Sequence, residues 1–149
     1  MMVKVIEFDV DHDLMLLSAA NGLSIEVASK VYAHEHIHTM THGGRFPSYR
    51  TDGEMLEERE VNIRGGEINT PEEMSQCSGP NMSPSFDEGG LFCAMHMTMA
   101  VSTAYVIPGS SGGPAMDANG RLIGIVSCTY GEFSGLVPLH DIIQFLKSH

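Results

Sequence analysis

A serine set among glycines, Gly109-Ser110-Ser111-Gly112-Gly113, with Pro108 and Pro114 on either side, is the segment of this chain best suited to chemistry. Glycine lets the backbone take conformations that a side chain forbids and leaves room for a substrate to approach. A tight bend of this kind presents a hydroxyl nucleophile beside backbone N–H donors. Such donors hold the oxyanion that forms when the hydroxyl attacks a carbonyl. Flanking proline stiffens the entry and exit. The segment also fits G-x-S-x-G, the nucleophile elbow, which needs a strand before the serine and a helix directly after it. Here the sequel is Ala115 to Val126 with Asn119-Gly120, a strong hairpin signal, between short strand-like flanks. Context therefore excludes the elbow.

The stretch from Pro108 to Ser127 resembles the active-serine region of trypsin-like serine peptidases, nearest to their HtrA-type and viral branches. The likeness continues through Ser127-Cys128-Thr129, where that family has its substrate-binding edge strand, and Gly135-Leu136-Val137-Pro138, which resembles the returning strand. The tail Leu139–Lys147 resembles the family's terminal helix, and its own pattern agrees. Leu139, Ile142, Ile143 and Leu146 fall at i, i+3, i+4 and i+7, one apolar face. Near the other end, Val3–Asp9 alternates like a strand, and the segment Asp11 to Leu17 resembles the one that carries the triad aspartate, which puts Asp13 in that place.

The resemblance implies an all-β fold: a trypsin-like antiparallel β-barrel architecture with the second barrel complete, the first partial, and a C-terminal helix. Residues 1–20 would be the remnant of the first barrel and residues 21–149 the second. It also implies site residues. Ser111 would be the nucleophile and Asp13 the orienting acid, with the N–H groups of Gly109 and Ser111 as the oxyanion hole. Tyr105 would be the base of the substrate pocket, Thr129 and Gly135 its walls, and Ser127, Cys128 and Thr129 the substrate strand. For Tyr105 a plain strand aromatic in the core is an equal alternative. Ser110 stands where trypsin has an acidic residue, which puts activation by a freed N-terminus in doubt. Nothing acidic lines the expected pocket, so a small or apolar residue is the expected preference.

One departure is large. In this family the catalytic histidine precedes the aspartate by several strands, and of the residues before Asp13 only His12 is a histidine. A sequence neighbour on a strand points to the opposite side. Without a general base a serine hydroxyl is a poor nucleophile near neutral pH. Three readings stay open: a fragment or mis-assigned start of a longer protease, a protease completed by another chain, and a protease-derived scaffold. The expected function is serine endopeptidase chemistry through an acyl-enzyme, with the histidine supplied from outside these residues. The alternative is a catalytically inactive domain used for peptide binding or assembly, for example in a viral particle.

His34, His36 and His38 alternate in Val31–His42, and His-x-His on a strand is a zinc-ligand spacing. A polar outward strand face is the plainer reading, and neither a metal nor any other cofactor is expected. Net charge is −11, from 8 basic and 19 acidic residues, which disfavours nucleic acid as a partner. No membrane partner is expected either, because no apolar run reaches spanning length and the first residues lack the core of a signal peptide. A peptide or protein substrate, and a complementing chain or second copy, remain as partners.

The three cysteines, Cys77, Cys93 and Cys128, are read as free thiols in a reducing compartment, with a Cys77–Cys93 bridge as the alternative. Cys128 is read as a buried or neutral thiol. Strands are expected at Val3–Phe8, Leu14–Ala19, Met55–Arg64 and Leu91–Val101, the last with methionines as core filler. Gly43–Arg50 and the long polar stretch Asn69–Gly90 are expected as loops.

Overall fold

The computed structural model describes residues 4–18, 24–43, 46–107, 109–130 and 132–148. Among these residues nine strands and two α-helices follow in order, with a 3-10 turn at Val10–His12 after the first strand: β1 (Val5–Asp9), β2 (Leu14–Leu17), β3 (His36–Gly43), β4 (Phe46–Glu67), α1 (Pro71–Gln76), β5 (Met82–Asp87), β6 (Gly90–Ser102), β7 (Pro114–Asp117), β8 (Leu122–Tyr130), β9 (Phe133–Pro138) and α2 (Leu139–Lys147). By internal contacts they form two compact units, residues 1–59 with 99–149, and residues 60–98. The boundary expected at residues 20 and 21 lies outside the described residues.

The strands of the larger sheet run in the order β4-β3-β7-β8-β9-β6-β5, and β4 also pairs with β6. This is an antiparallel barrel. Its interior is small and branched side chains, among them Ile37, Ala100, Ala115, Ile123, Val126 and Leu136. Fully buried Met99 bears out the core-filler reading of the β6 methionines. The β7–β8 hairpin turns at Asn119-Gly120 as its sequence demands, with Gly120 at φ 78°. Asp117 is only 1% exposed, and its carboxylate accepts the N–H groups of Asn119 and Arg121, both at 2.9 Å, and Arg121 Nε at 3.1 Å. Burial pushes the Asp117 carboxyl up, but these N–H groups and the guanidinium outweigh it and hold it below the usual carboxylate range.

β1 and β2 form a separate two-stranded antiparallel sheet. Leu14 packs inward with Val137, Ile142 and Phe145, and Leu16 lies against that cluster. The opposite side chains, Val5, Phe8, Met15 and Leu17, are exposed. Pairing of Phe8 with Met15 and of Val5 with Leu17 makes them one apolar surface.

α2 has the expected bounds, but its buried face is shifted. Leu139, Ile142 and Phe145 are buried, whereas Leu146 remains 46% exposed. The cluster built on Leu14 and Val137 selects the larger Phe145 ring and leaves Leu146 to solvent.

The second unit corrects two expectations. Asn69–Gly90 is not a loop: it holds α1 and β5. Thr70 caps α1 by accepting the Glu73 N–H at 3.1 Å. Cys77 and Cys93 are not free thiols. α1 and β6 bring their Cα atoms to 5.6 Å and a disulfide joins them, which removes the basis for preferring a reducing compartment. Arg64 pairs with Asp87 and stacks over Phe92, 4.1 Å from the ring centroid.

A third correction lies at Gly43–Arg50. Phe46 to Arg50 open β4 and pair with β3, so strand replaces the expected loop on both sides of residues 44 and 45. The backbone of Met40–Thr41 and Gly43 supplies partners along this run, and pairing outweighs the turn propensity of its Gly and Pro.

Candidate active site

The Ser111 loop connects β6 to β7, and Pro108 lies outside the described residues. Gly109 and Gly112 have φ of 93° and 92°, the left-handed region that side chains disfavour. Two reciprocal bonds pin the loop to β8: Gly112 N–H donates to Val126 O and Val126 N–H to Gly113 O, each 2.8 Å. Ser110 N–H donates to Ile107 O at 3.1 Å. Along the bend, the N–H groups of Ser110 and Gly112 are thus consumed internally. Those of Gly109 and Ser111 meet no acceptor among the described residues. Ser110 is buried and Ser111 exposed. The alternation leaves one hydroxyl and two amide donors at the surface of one loop.

Asp13 lies directly before β2 at φ 56° and ψ 45°, an uncommon conformation for a non-glycine residue. Ser127 Oγ donates to Asp13 Oδ2 at 2.5 Å. The carbonyl of the same Ser127 accepts from Ser111 Oγ at 2.9 Å. One residue of β8 therefore links acid and nucleophile, its side chain holding the first and its backbone the second. Sequence reading placed Ser127 on the substrate strand and missed this bridging role. A recess of about 220 Å³ lies beside the acid, lined by Phe8, Asp9, Val10, Asp13, Leu14 and Met15.

The flanking residues divide into packing and exposed positions. Gly135 is buried opposite Cys128, and a Cβ there would come within 2.8 Å of Cys128 Sγ and 2.9 Å of Met99 Sδ. The space above Gly135 is thus taken by two sulfur atoms. The Cys128 thiol donates to Met99 Sδ at 3.4 Å, and burial, then the nearby Asp13 charge, pushes its pKa up. This is a protonated packing thiol. Thr129 is exposed. Tyr105 lies outside any strand with 60% of its surface exposed, so the core alternative for it does not hold. Only part of β8 is an edge. Leu122 to Ile125 pair with β7 on one side, whereas Cys128 to Tyr130 pair with β9 alone.

Among the described residues no hydrogen bond joins a histidine to Ser111. His12 Nδ1 bonds Asp9 Oδ2 at 2.7 Å, and its Nε2 lies 4.0 Å from Asp141. The Asp9 hydrogen bond raises the His12 pKa against a smaller opposing effect of burial, and the charges of Asp141, Asp9 and Asp11 add to the rise. Its ring nitrogens face Asp9 and Asp141. The expected row of three histidines is reduced to two, because His34 precedes β3 at φ 63° while His36 and His38 alternate within it. His34 faces Glu54 at 3.3 Å and His36 faces Asp52 at 3.7 Å. No cluster fit to hold a metal occurs among the described residues. No helix among them is long and apolar enough to cross a membrane.

The family model for the trypsin-like peptidase domain matches residues 1–125. Among curated proteins none matches the chain in sequence. Solved structures match it in fold. The active form of the Rv3671c protease from M. tuberculosis superposes with a TM-score of 0.67 at 16% identity, over 95% of this chain and 56% of that one. The protease domain of MamO from Magnetospirillum magneticum gives 0.61 at 18% identity, over 96% of this chain and 66% of that one. Deg5 gives 0.56 at 18% identity, over 95% and 57%. The chain thus spans between 56% and 66% of the length of these three structures.

Proposed function

Because the chain belongs to the trypsin-like peptidase family, we propose that it is the nucleophile- and acid-bearing part of a serine endopeptidase whose general-base histidine comes from outside the described residues. The observation that carries this reading is the continuous link Asp13–Ser127–Ser111. In the completed enzyme an imidazole seated at Asp13 takes the Ser111 Oγ proton as that oxygen bonds the scissile carbonyl carbon. Asp13 accepts from the imidazole N–H, fixing its tautomer and steadying the imidazolium. The N–H groups of Gly109 and Ser111 receive the oxyanion. The imidazolium then protonates the leaving amine, and water, activated in the same way, hydrolyses the acyl-enzyme.

Ser111 Oγ must first leave the Ser127 carbonyl. That frees the carbonyl for an extended substrate pairing along Ser127–Tyr130, which lies beyond both the β7 pairing that ends at Ile125 and the loop bonds at Val126. Completion from outside is also supported by the bare apolar face of β1 and β2. A two-stranded sheet is marginal alone, and a contiguous exposed apolar surface marks an interaction site. The complementing element is a further stretch of polypeptide, in the same chain, a second copy or another protein. The organisation proposed is the one expected from sequence, residues 1–20 as the first-barrel portion and 21–149 as the second.

The alternative reading, a silent domain that binds extended peptides, is favoured by the Ser111 hydroxyl being tied to Ser127 O. A fluorophosphonate probe applied to the protein in its natural source decides between them. An adduct on Ser111, absent in Ser111→Ala, supports the peptidase. Retained peptide binding with an unlabelled Ser111 supports the silent domain, and labelling unchanged in Ser111→Ala sinks the nucleophile assignment.

A further inference from the structure

A second serine, in the unit of residues 60–98, already has an imidazole on it. Ser83 Oγ lies 2.6 Å from His96 Nε2, and His96 Nδ1 lies 2.6 Å from Asn62 Oδ1 and 3.8 Å from Glu60 Oε1. The arrangement follows from strand register. Ser83 on β5 pairs with Ala94 on β6, so His96, two residues on, projects from the same face as its diagonal neighbour. The His96 N–H donates to Asn81 O at 2.7 Å, which extends the pairing past Met82 and fixes that diagonal. Asn62 and Glu60 are two apart on β4 and share a face.

Chemistry at the ring fixes the direction of the bonds. Nδ1 faces two acceptors, the Asn62 amide oxygen and the Glu60 carboxylate, so the proton sits on Nδ1. The lone pair is then on Nε2, and Ser83 is the donor to it. This is the nucleophile–base–orienter order of an activated serine, built on three strands rather than a loop. About a third of the His96 side chain, 32%, is exposed, and a small ester can reach the pair from solvent.

We propose that Ser83 is a second nucleophile, one that takes acyl groups from activated aryl esters. Ser83 Oγ bonds the ester carbonyl carbon while its proton passes to His96 Nε2. The bond from that carbon to the aryl oxygen breaks, and the phenolate leaves with the electron pair. His96 releases its proton to solvent. A water activated by His96 then cleaves the acyl-Ser83 ester to a carboxylic acid and restores the Ser83 hydroxyl. The substrate class follows from the next residue. Pro84 has no N–H to offer a developing oxyanion, so the leaving group must carry the charge. Aryl esters meet that demand and peptide bonds do not. The inference uses no part of the reading of Ser111.

The test uses the full chain carrying Ser111→Ala, with p-nitrophenyl acetate as probe. Release of p-nitrophenolate and the mass of the tryptic peptide holding Ser83 are followed together. An acetyl group on Ser83, lost in Ser83→Ala, and a rate about 10²-fold lower in His96→Gln are expected. Circular dichroism and thermal melting check that each variant is folded. If His96→Gln does not fold, Asn62→Ala at its exposed position replaces it, and a severalfold slower acylation is expected. Acetyl found only on other residues, or a rate untouched by Ser83→Ala or by loss of the orienting partner, overturns the proposal and leaves a hydrogen-bonded tie between strands.

Discussion

Ser111 sits in a glycine loop pinned to β8, with a carboxylate two hydrogen bonds away and two unengaged amide donors around it. Ser83 sits in a regular strand with an imidazole already bonded to it and a proline immediately after it. The first has unengaged amide donors and, among the described residues, no histidine bonded to it. The second has the histidine, and the proline after it offers no N–H. A bend with left-handed glycines leaves alternate N–H groups, those of Gly109 and Ser111, unengaged on one loop, as an oxyanion hole requires. A pleated sheet sends alternate side chains to one face, and that suits a relay of side chains. The two serines differ because a loop and a sheet gather different groups.

The contrast breaks most sharply at the acid. Asp13→Asn in the completed peptidase is expected to lower kcat by about 10⁴-fold, because the amide favours the wrong imidazole tautomer. Turnover of a peptide substrate that stays within tenfold of the parent would remove Asp13 from the mechanism. Reduction of the Cys77–Cys93 bridge should cost about 3 kcal/mol, for a loop of separation 16, and do so within residues 60–98. Hydrogen exchange read segment by segment would show the loss in α1, β5 and the start of β6. Faster exchange centred on the Ser111 loop instead would contradict the separation into two units.

Ser127→Ala removes the hydroxyl that holds Asp13 and keeps the carbonyl that holds Ser111. A fall in peptidase rate of about 10²-fold is expected, from misplacement of the acid. An unchanged rate would make that link incidental. The smallest effect belongs to His12. Its folded-state pKa is raised, so its contribution is fully present below the ordinary histidine value and is lost as pH rises through the raised one. The ring is about half exposed, so the loss is on the order of 0.5 kcal/mol. Urea midpoints of the parent and His12→Gln should therefore converge on the alkaline side of that range. A constant gap across pH would assign the effect to packing.

What could be read from sequence follows the range of the interactions. The Ser111 bend and the Asn119-Gly120 turn are written in single residues with unusual backbone demands, and both were legible. α1 carried a local signal that its Gly- and Pro-rich surroundings masked. Thr70-Pro71-Glu72-Glu73 has a capping side chain, proline at the first turn and a glutamate three residues on. The Cys77–Cys93 bridge and the Ser83–His96 diagonal depend on which residues face each other across strands, and spacing alone does not encode register. The same holds for Ser127, whose two roles appear only once Asp13 and Ser111 are brought to it from opposite directions. The choice of Phe145 over Leu146 was fixed by the shape of a partner surface at Leu14, near the other end of this sequence.

That last contact couples the far ends of the polypeptide. α2 clasps the hairpin that carries the acid, through Phe145 and Ile142 against Leu14 and through Asp141 toward His12. Trimming or unwinding α2 would, in the peptidase proposed above, displace Asp13 without touching Ser111 or its loop. A purification tag that crowds Leu139–Lys147 would do the same, and belongs on a linker long enough to leave the helix seated.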